Sequence, residues 1–109
     1  MASAGQKGTM YDRSNLQKLE KLAALAPEAF AGFKHLDEAA YKPGAISVKN
    51  KELIAVAVAT TTQCPYCIDI HAKKARAAGA SDAEIAEACL VAAAIRAGGA
   101  VTHTLHAIV

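Results

Sequence analysis

The sequence predicts an all-α protein of about six helices, and three observations support this fold class. No segment of the 109 residues alternates apolar and polar side chains with the period of two that a half-buried strand requires. Apolar residues make up 53% of the chain and aromatic residues only 5%, so alanine, the strongest helix former, and aliphatic residues supply most of the apolar content. Residues that start or stop helices also recur along the chain.

Capping residues predict the first two helices. Ser14 is a candidate N-cap, and Gln17 lies three residues later at the position that completes a capping box. Pro27 suits the first turn of a second helix, where its missing N–H is not needed. The tripeptide Lys42-Pro43-Gly44 breaks the helical pattern, so we expect the second helix to end before it.

Two further helices are predicted in the middle of the chain. Ser47 is a candidate N-cap of a third helix, which is apolar on most sides and is therefore expected to lie centrally. A fourth helix is expected to begin at Cys64, with Pro65 in its first turn, and to stop at Gly79.

The last part of the chain opens on a clear helix start. Ser81-Asp82-Ala83-Glu84 has the pattern of a capping box and predicts a fifth helix. The pair Gly98-Gly99 is expected to end that helix, because glycine has a poor helix propensity and often follows helix ends. Residues 100–109 are then predicted to form a short sixth helix.

Length and charge limit the class of protein. A chain of this size predicts one helical domain, over residues 14–109, after a flexible tail over residues 1–13. Its core is small, so burial of further apolar surface in an oligomer is expected to stabilise it. The net charge of +2 comes from 12 basic and 10 acidic residues, a balance that does not fit a nucleic-acid-binding protein.

The sequence also indicates a compartment. The longest uncharged run, residues 53–68, is shorter than a membrane span and contains three threonines. The first 13 residues lack the apolar core of a signal peptide. We therefore expect a cytoplasmic protein that does not act at a membrane. In the cytoplasm, a close pair of cysteines is more often catalytic or metal-binding than a structural disulfide.

The chemistry of the chain is concentrated in Cys64-Pro65-Tyr66-Cys67. Two cysteines with this spacing at a helix start lie close enough to form a disulfide. The helix N-terminus favours a Cys64 thiolate, which is the reactive form of the side chain. His71 lies four residues after Cys67 on the same helix face, where it can stabilise a Cys67 thiolate or accept its proton. Local physics alone therefore allows either sulfur to be the nucleophile.

A metal site is the main alternative for these side chains. Cys64, Cys67 and His71 are competent zinc ligands, with Glu52 or another histidine as a fourth. Structural zinc sites usually bring a second ligand pair from elsewhere, and the sequence has no second C-x-x-C or H-x3-H pair. We therefore expect neither a metal nor another cofactor.

The remaining candidates are weaker. His103 and His106 have helical spacing but no third ligand nearby in sequence, so we expect surface or interface roles. Cys89 lies on the inward stripe of the fifth helix and is expected to be structural.

The sequence contains a longer pattern, which runs from Glu52 through eleven residues to the C-P-Y-C motif and through three more residues to His71. This pattern resembles the signature of the alkylhydroperoxidase D-like (AhpD-like) proteins. These proteins belong to the carboxymuconolactone decarboxylase superfamily. The resemblance extends from about residue 46 to residue 99 and includes Lys51-Glu52-Leu53-Ile54.

The resemblance implies a fold, an activity and site roles. It implies an all-α subunit that assembles into a homotrimer or homohexamer and acts as a peroxidase or disulfide oxidoreductase. When the roles of the family's motif residues are transferred to this sequence, Cys67 attacks a hydroperoxide and Cys64 resolves the product as a disulfide. Glu52 and His71 relay protons. The implied partners are a hydroperoxide or disulfide substrate and a dithiol reductant. The superfamily also contains lactone decarboxylases, so a lyase remains an alternative.

Glu52 raises a geometric question. In a straight third helix it lies about 15 Å from the helix end, whereas His71 lies only about 10 Å into the next helix. Contact between the two then requires a crossing angle, an early end to the third helix, or a bridging water. A surface carboxylate near a helix start is the simpler interpretation of Glu52, and the resemblance favours the functional one.

Overall fold

The computed structural model describes residues 11–109, and every regular secondary-structure element in this range is a helix. This confirms the predicted all-α class. The described residues form five α-helices and two 3-10 segments: Arg13–Lys18 (3-10), α1 Leu19–Leu25, α2 Pro27–Ala40, α3 Val48–Thr62, α4 Pro65–Ala77, α5 Asp82–His103 and Thr104–His106 (3-10). Residues 1–10 of the predicted tail lie outside the described range. The oligomeric state stays a prediction.

The chain divides into two compact units, with the boundary in sequence between Val48 and Lys49. A single domain over residues 14–109 stays a prediction. In the first unit, the N-cap is Asp12 and not the predicted Ser14. Asp12 Oδ1 accepts hydrogen bonds from the Ser14 backbone N–H (2.9 Å) and from the Ser14 hydroxyl (2.7 Å). The carboxylate of Asp12 is a strong acceptor for these donors, and the segment therefore starts two residues earlier, as a 3-10 helix.

The second unit contains α3, α4 and α5 around a small core. Val56, Ala75 and Ala80 are its buried residues, and partly buried side chains pack against them: Leu53, Ala72, Ile85 and Cys89. Alanine at these positions leaves little side-chain volume between the helices, which lets their backbones approach closely. The buried residues of α3 are Glu52, Val56 and Ala59, so an acidic side chain shares its inward face with two apolar ones.

The predicted start and end of α4 are confirmed. Cys64 is the N-cap, with its sulfur accepting from the Cys67 backbone N–H, and Pro65 lies in the first turn. The helix ends at Ala77, and Gly79 follows with a φ of 99°, a left-handed conformation that glycine adopts without a steric penalty.

The capping box that opens α5 is also confirmed. The Glu84 backbone N–H donates to Ser81 Oγ (3.1 Å), and the Ser81 backbone N–H donates to Glu84 Oε1 (2.9 Å). The other carboxylate oxygen of Glu84 accepts from Lys49 Nζ at 2.8 Å, which joins the start of α5 to the start of α3.

The predicted end of the fifth helix is wrong. Helix α5 continues through Gly98 and Gly99 to His103, and the expected sixth helix is reduced to the 3-10 turn Thr104–His106. The Thr102 hydroxyl donates to the carbonyls of Gly98 (3.0 Å) and Gly99 (3.1 Å), which adds hydrogen bonds where glycine weakens the helix. A pair of glycines lowers helix propensity but keeps every backbone donor, so it does not by itself stop a helix.

Helices α3 and α5 border an open apolar groove of about 510 Å³, here called the α3–α5 groove. It is lined by Asn50, Leu53, Ile54, Ala57, Val58, Thr61, Ala88, Val91, Ala92, Ile95 and Arg96. No residue of α5 is fully buried. Within residues 11–109, one helical stretch, Asp82–His106, is long and apolar enough to cross a membrane by length and composition alone.

A candidate dithiol site

The two cysteines of the motif lie side by side at the start of α4. Their Sγ atoms are 2.8 Å apart, and both residues are half-buried and reduced. The Cys67 backbone N–H also points to Cys64 Sγ at 3.4 Å. The geometry follows from the sequence, because Cys64 takes an extended N-cap conformation while Pro65 starts the helix that carries Cys67.

Glu52 and His71 form a direct contact between α3 and α4. Glu52 Oε1 and His71 Nδ1 are 2.6 Å apart, and the two side chains are only 5% and 12% exposed. The contact is direct, so no bridging water is needed. Helix α3 runs unbroken to Thr62, so the helix does not end early either. Of the three arrangements considered for this pair, a crossing of the two helices is the one that remains.

The burial of this pair determines what it can do. A carboxylate removed from water is costly to leave without a partner, and the imidazole supplies one. When Nδ1 of a neutral ring donates to Glu52, the other ring nitrogen, Nε2, is left as a proton acceptor. The carboxylate also stabilises the ring when it becomes protonated. The contact therefore suits His71 to accept and return a proton.

The sequence-predicted site residues all come from the second unit. Glu52 lies on α3, Cys64 and Cys67 at the start of α4, and His71 on α4, one helical turn after Cys67. The structure joins them as two contacting pairs, the dithiol and the Glu52–His71 pair.

The ligand geometry expected of a metal centre is not formed by the described residues. In residues 11–109 no group of three or more histidine, cysteine, aspartate or glutamate side chains is arranged to hold a metal ion. The rings of His103 and His106 lie 5.3 Å apart between centroids, at the end of α5. Cys89 is half-buried and packs against the core of Val56, Ala75 and Ala80, as a structural cysteine would.

Sequence reasoning missed Gln63, the residue before the dithiol. Its φ is 55°, in the left-handed region. Glycine and asparagine are the usual signals for this conformation after a helix, and glutamine is not among them. Three threonines precede it, and β-branched residues of this kind have a reduced helix propensity. Each hydroxyl donates to the carbonyl three residues earlier: Thr60 to Ala57, Thr61 to Val58 and Thr62 to Ala59.

Fold and site together define an all-helical protein with a close cysteine pair at a helix start and a buried acid–histidine pair beside it in the same unit. The chain belongs to the carboxymuconolactone decarboxylase family, whose profile matches residues 27–109. This confirms the resemblance seen in the sequence at the level of the family.

Two curated proteins and one solved structure are similar to this chain. A protein of Paracoccus denitrificans described as uncharacterized protein 4 in the cox locus is 46% identical over 87 residues, which are 74% of this chain and 78% of that protein. An uncharacterized protein of Haemophilus influenzae is 44% identical over 49 residues, 45% of this chain and 43% of that protein. A crystal structure of a protein from Methanobacterium thermoautotrophicum is 35% identical with a TM-score of 0.75, covering 81% of this chain and 99% of that one.

Proposed function

We propose that this protein is a thiol-dependent peroxidase in which Cys67 attacks, Cys64 resolves, and Glu52 with His71 moves protons. The observation that carries the proposal is the 2.8 Å separation of the two sulfurs, because a resolving thiol must reach the oxidised one without rearrangement of the fold. Membership of a family that includes AhpD-like peroxidases as well as decarboxylases supports it.

The reaction proceeds in two steps. The Cys67 thiolate attacks the O–O bond of a hydroperoxide, which leaves Cys67 as a sulfenic acid and releases the organic part as an alcohol after protonation. The Cys64 thiol then attacks the Cys67 sulfur, forms the disulfide and releases the hydroxyl as water. In sum, two thiols and one hydroperoxide give one disulfide, one alcohol and one water.

The Glu52–His71 pair supplies the proton movements. His71 lies one helical turn from Cys67, and its contact with Glu52 fixes the orientation of the ring. The imidazole takes the thiol proton before attack and returns a proton to the leaving oxygen. The carboxylate is buried, so it stabilises the protonated ring with little screening by water.

A second thiol protein or small dithiol resets the site. Thiol–disulfide exchange transfers two electrons and two protons from the donor dithiol to the Cys64–Cys67 disulfide. This part of the proposal includes a cytoplasmic setting, because that compartment keeps a dithiol donor reduced. It also includes a homotrimer or homohexamer, in which neighbouring copies pack on the α3–α5 groove.

Single cysteine variants test the proposal. The Cys64→Ser protein should consume one equivalent of hydroperoxide and trap a sulfenic acid on Cys67, detected by a dimedone-type label and mass spectrometry. The Cys67→Ser protein should not react, and Cys89→Ser, the matched cysteine control, should behave as the wild type. Wild-type protein after mild oxidation should contain the 64–67 disulfide, with Cys89 reduced.

Other outcomes distinguish the alternatives. A label on Cys64 in the Cys67→Ser protein, with none in the reciprocal variant, would reverse the two roles. Exchange with disulfides but no reaction with any hydroperoxide would indicate a disulfide reductase. A stoichiometric metal in elemental analysis of the purified protein would favour the metal-site hypothesis, and lactone decarboxylation by the double cysteine variant would favour a lyase.

A further inference from the structure

The backbone of Gln63 adopts a conformation that its residue type disfavours. Among residues 11–109 it is the one non-glycine residue with a positive φ, at 55°. A side chain with a Cβ atom is strained in this region, and glycine or asparagine is usual where a helix ends in this way. Such residues persist where the surrounding structure imposes them, and they are common at functional sites.

Gln63 is the single residue between the last residue of α3 and the N-cap of α4. After its left-handed turn, the Cys64 backbone N–H donates to the Ala59 carbonyl at 3.1 Å, back across the end of α3. The Thr62 hydroxyl donates to the same carbonyl at 3.3 Å. Cys64 then has φ −102° and ψ 97°, an extended conformation that places its sulfur over the first turn of α4.

We propose that Gln63 is a positioning residue for the dithiol, acting through its backbone. Its left-handed conformation fixes Cys64 between the end of α3 and the start of α4, and this keeps the Cys64 sulfur next to that of Cys67. The turn thereby raises the effective concentration of one thiol at the other and favours the disulfide. The inference rests on the proposed function only in requiring that the cysteine pair is redox-active.

The test is the dithiol–disulfide equilibrium of the folded protein against glutathione. In this exchange, two protein thiols and one glutathione disulfide give the protein disulfide and two reduced glutathiones, so no peroxide is needed. Gln63→Val is the strong variant, because a β-branched residue is disfavoured most at positive φ. We expect its equilibrium constant for disulfide formation to fall roughly tenfold, because a displaced Cys64 lowers the effective concentration of one thiol at the other. Gln63→Thr, which is also β-branched and has a polar side chain, is the second variant in case the valine protein does not fold.

Two controls separate positioning from general destabilisation. Gln63→Asn tolerates the left-handed turn and should restore an equilibrium constant close to that of the wild type. Gly79→Ala places the same kind of strain at the other end of α4, where φ is 99°, and should lower the melting temperature without moving the equilibrium constant. Equal constants for the wild-type, threonine and valine proteins would overturn the proposal, as would an asparagine variant that matches valine. Failure of the wild type to form any 64–67 disulfide would instead refute the proposed function.

Discussion

The Glu52 carboxylate and the His71 imidazole are 19 residues apart in sequence and 2.6 Å apart in space, and their contact joins α3 to α4. Both side chains are almost fully removed from water. A pair of this kind is fixed in position by the helices and exchanges little with solvent, so its members depend on each other for both stability and chemistry.

Glu52→Gln is expected to slow peroxide consumption while keeping a hydrogen-bonding partner for His71. The loss should lie within the range of about 10²–10⁴-fold that is typical for proton transfer, and should be smaller than the loss in Cys67→Ser. Stopped-flow assays across pH check this, with Glu87→Gln on exposed α5 as the control. A rate unchanged from wild type would remove Glu52 from the relay.

His71→Ala is expected to destabilise the fold more than Glu52→Gln does. It leaves the Glu52 carboxylate buried without its partner, and loss of one member of a buried pair costs about 3–5 kcal/mol. Urea denaturation at neutral pH measures the difference in free energy of unfolding. Equal stability of the two variants would show that water replaces the imidazole at the carboxylate.

The stability of the start of α5 is expected to depend on pH through Glu84. The hydrogen bond from Lys49 Nζ, followed by that from the Ser81 backbone N–H, lowers the pKa of Glu84 below its ordinary value of 4.5. A group whose pKa is lowered by folding stabilises the folded state above its ordinary pKa, and this contribution is lost as pH falls through the lowered pKa. Thermal melts from pH 7 to 3 should therefore show a wild-type advantage over Glu84→Gln that shrinks below about pH 4.5. An advantage independent of pH would contradict this.

Gly98→Ala and Gly79→Ala are expected to change stability in opposite directions. A Cβ at either position meets nothing within 4 Å. Gly98 lies inside α5, where alanine is favoured over glycine by about 0.5–1 kcal/mol. Gly79 has a φ of 99°, so alanine is strained there and should lower the melting temperature. A loss of stability in Gly98→Ala would indicate that another copy occupies the space beside α5.

The α3–α5 groove is where we expect a second copy of the chain to pack. The groove runs between two helices, α3 of about 22 Å and α5 of about 33 Å, and its lining is mostly apolar. Ile54, Val58 and Ile95 are about half exposed or more on this face, and Arg96 within α5 disfavours burial of the groove in lipid. Ile95→Glu should therefore lower the mass measured by light scattering. Leu90→Glu, equally exposed on α5 but outside the groove, should not.

The sequence predicted the parts of the fold that depend on local chemistry. The Ser81–Glu84 capping box, the N-cap Cys64 and the turn at Gly79 are set by side chains within a few residues of each other, and all three are confirmed. The continuation of α5 through Gly98 and Gly99 was missed, because a pair of glycines lowers helix propensity without removing any backbone donor.

In the candidate site, the proximity of the two cysteines was predictable from the sequence, and the contact between Glu52 and His71 was not. The spacing of Cys64 and Cys67 within one helix start determines their proximity. The contact of Glu52 with His71 depends on how two helices cross, and helical spacing within either one carries no information about that crossing. The turn at Gln63 was hidden for a related reason, since its conformation is imposed by both neighbouring helices.

Cys64 has two tasks at the same atom, because its sulfur both accepts from the Cys67 amide and takes part in redox chemistry. A thiolate is a better acceptor for that amide than a thiol or a disulfide sulfur. By thermodynamic linkage, the strength of this hydrogen bond and the redox state of the sulfur therefore depend on each other. Hydrogen–deuterium exchange at the amide of Cys67 therefore reports the redox state directly. Exchange should be slow in the reduced protein and faster once Cys64 Sγ is part of a disulfide.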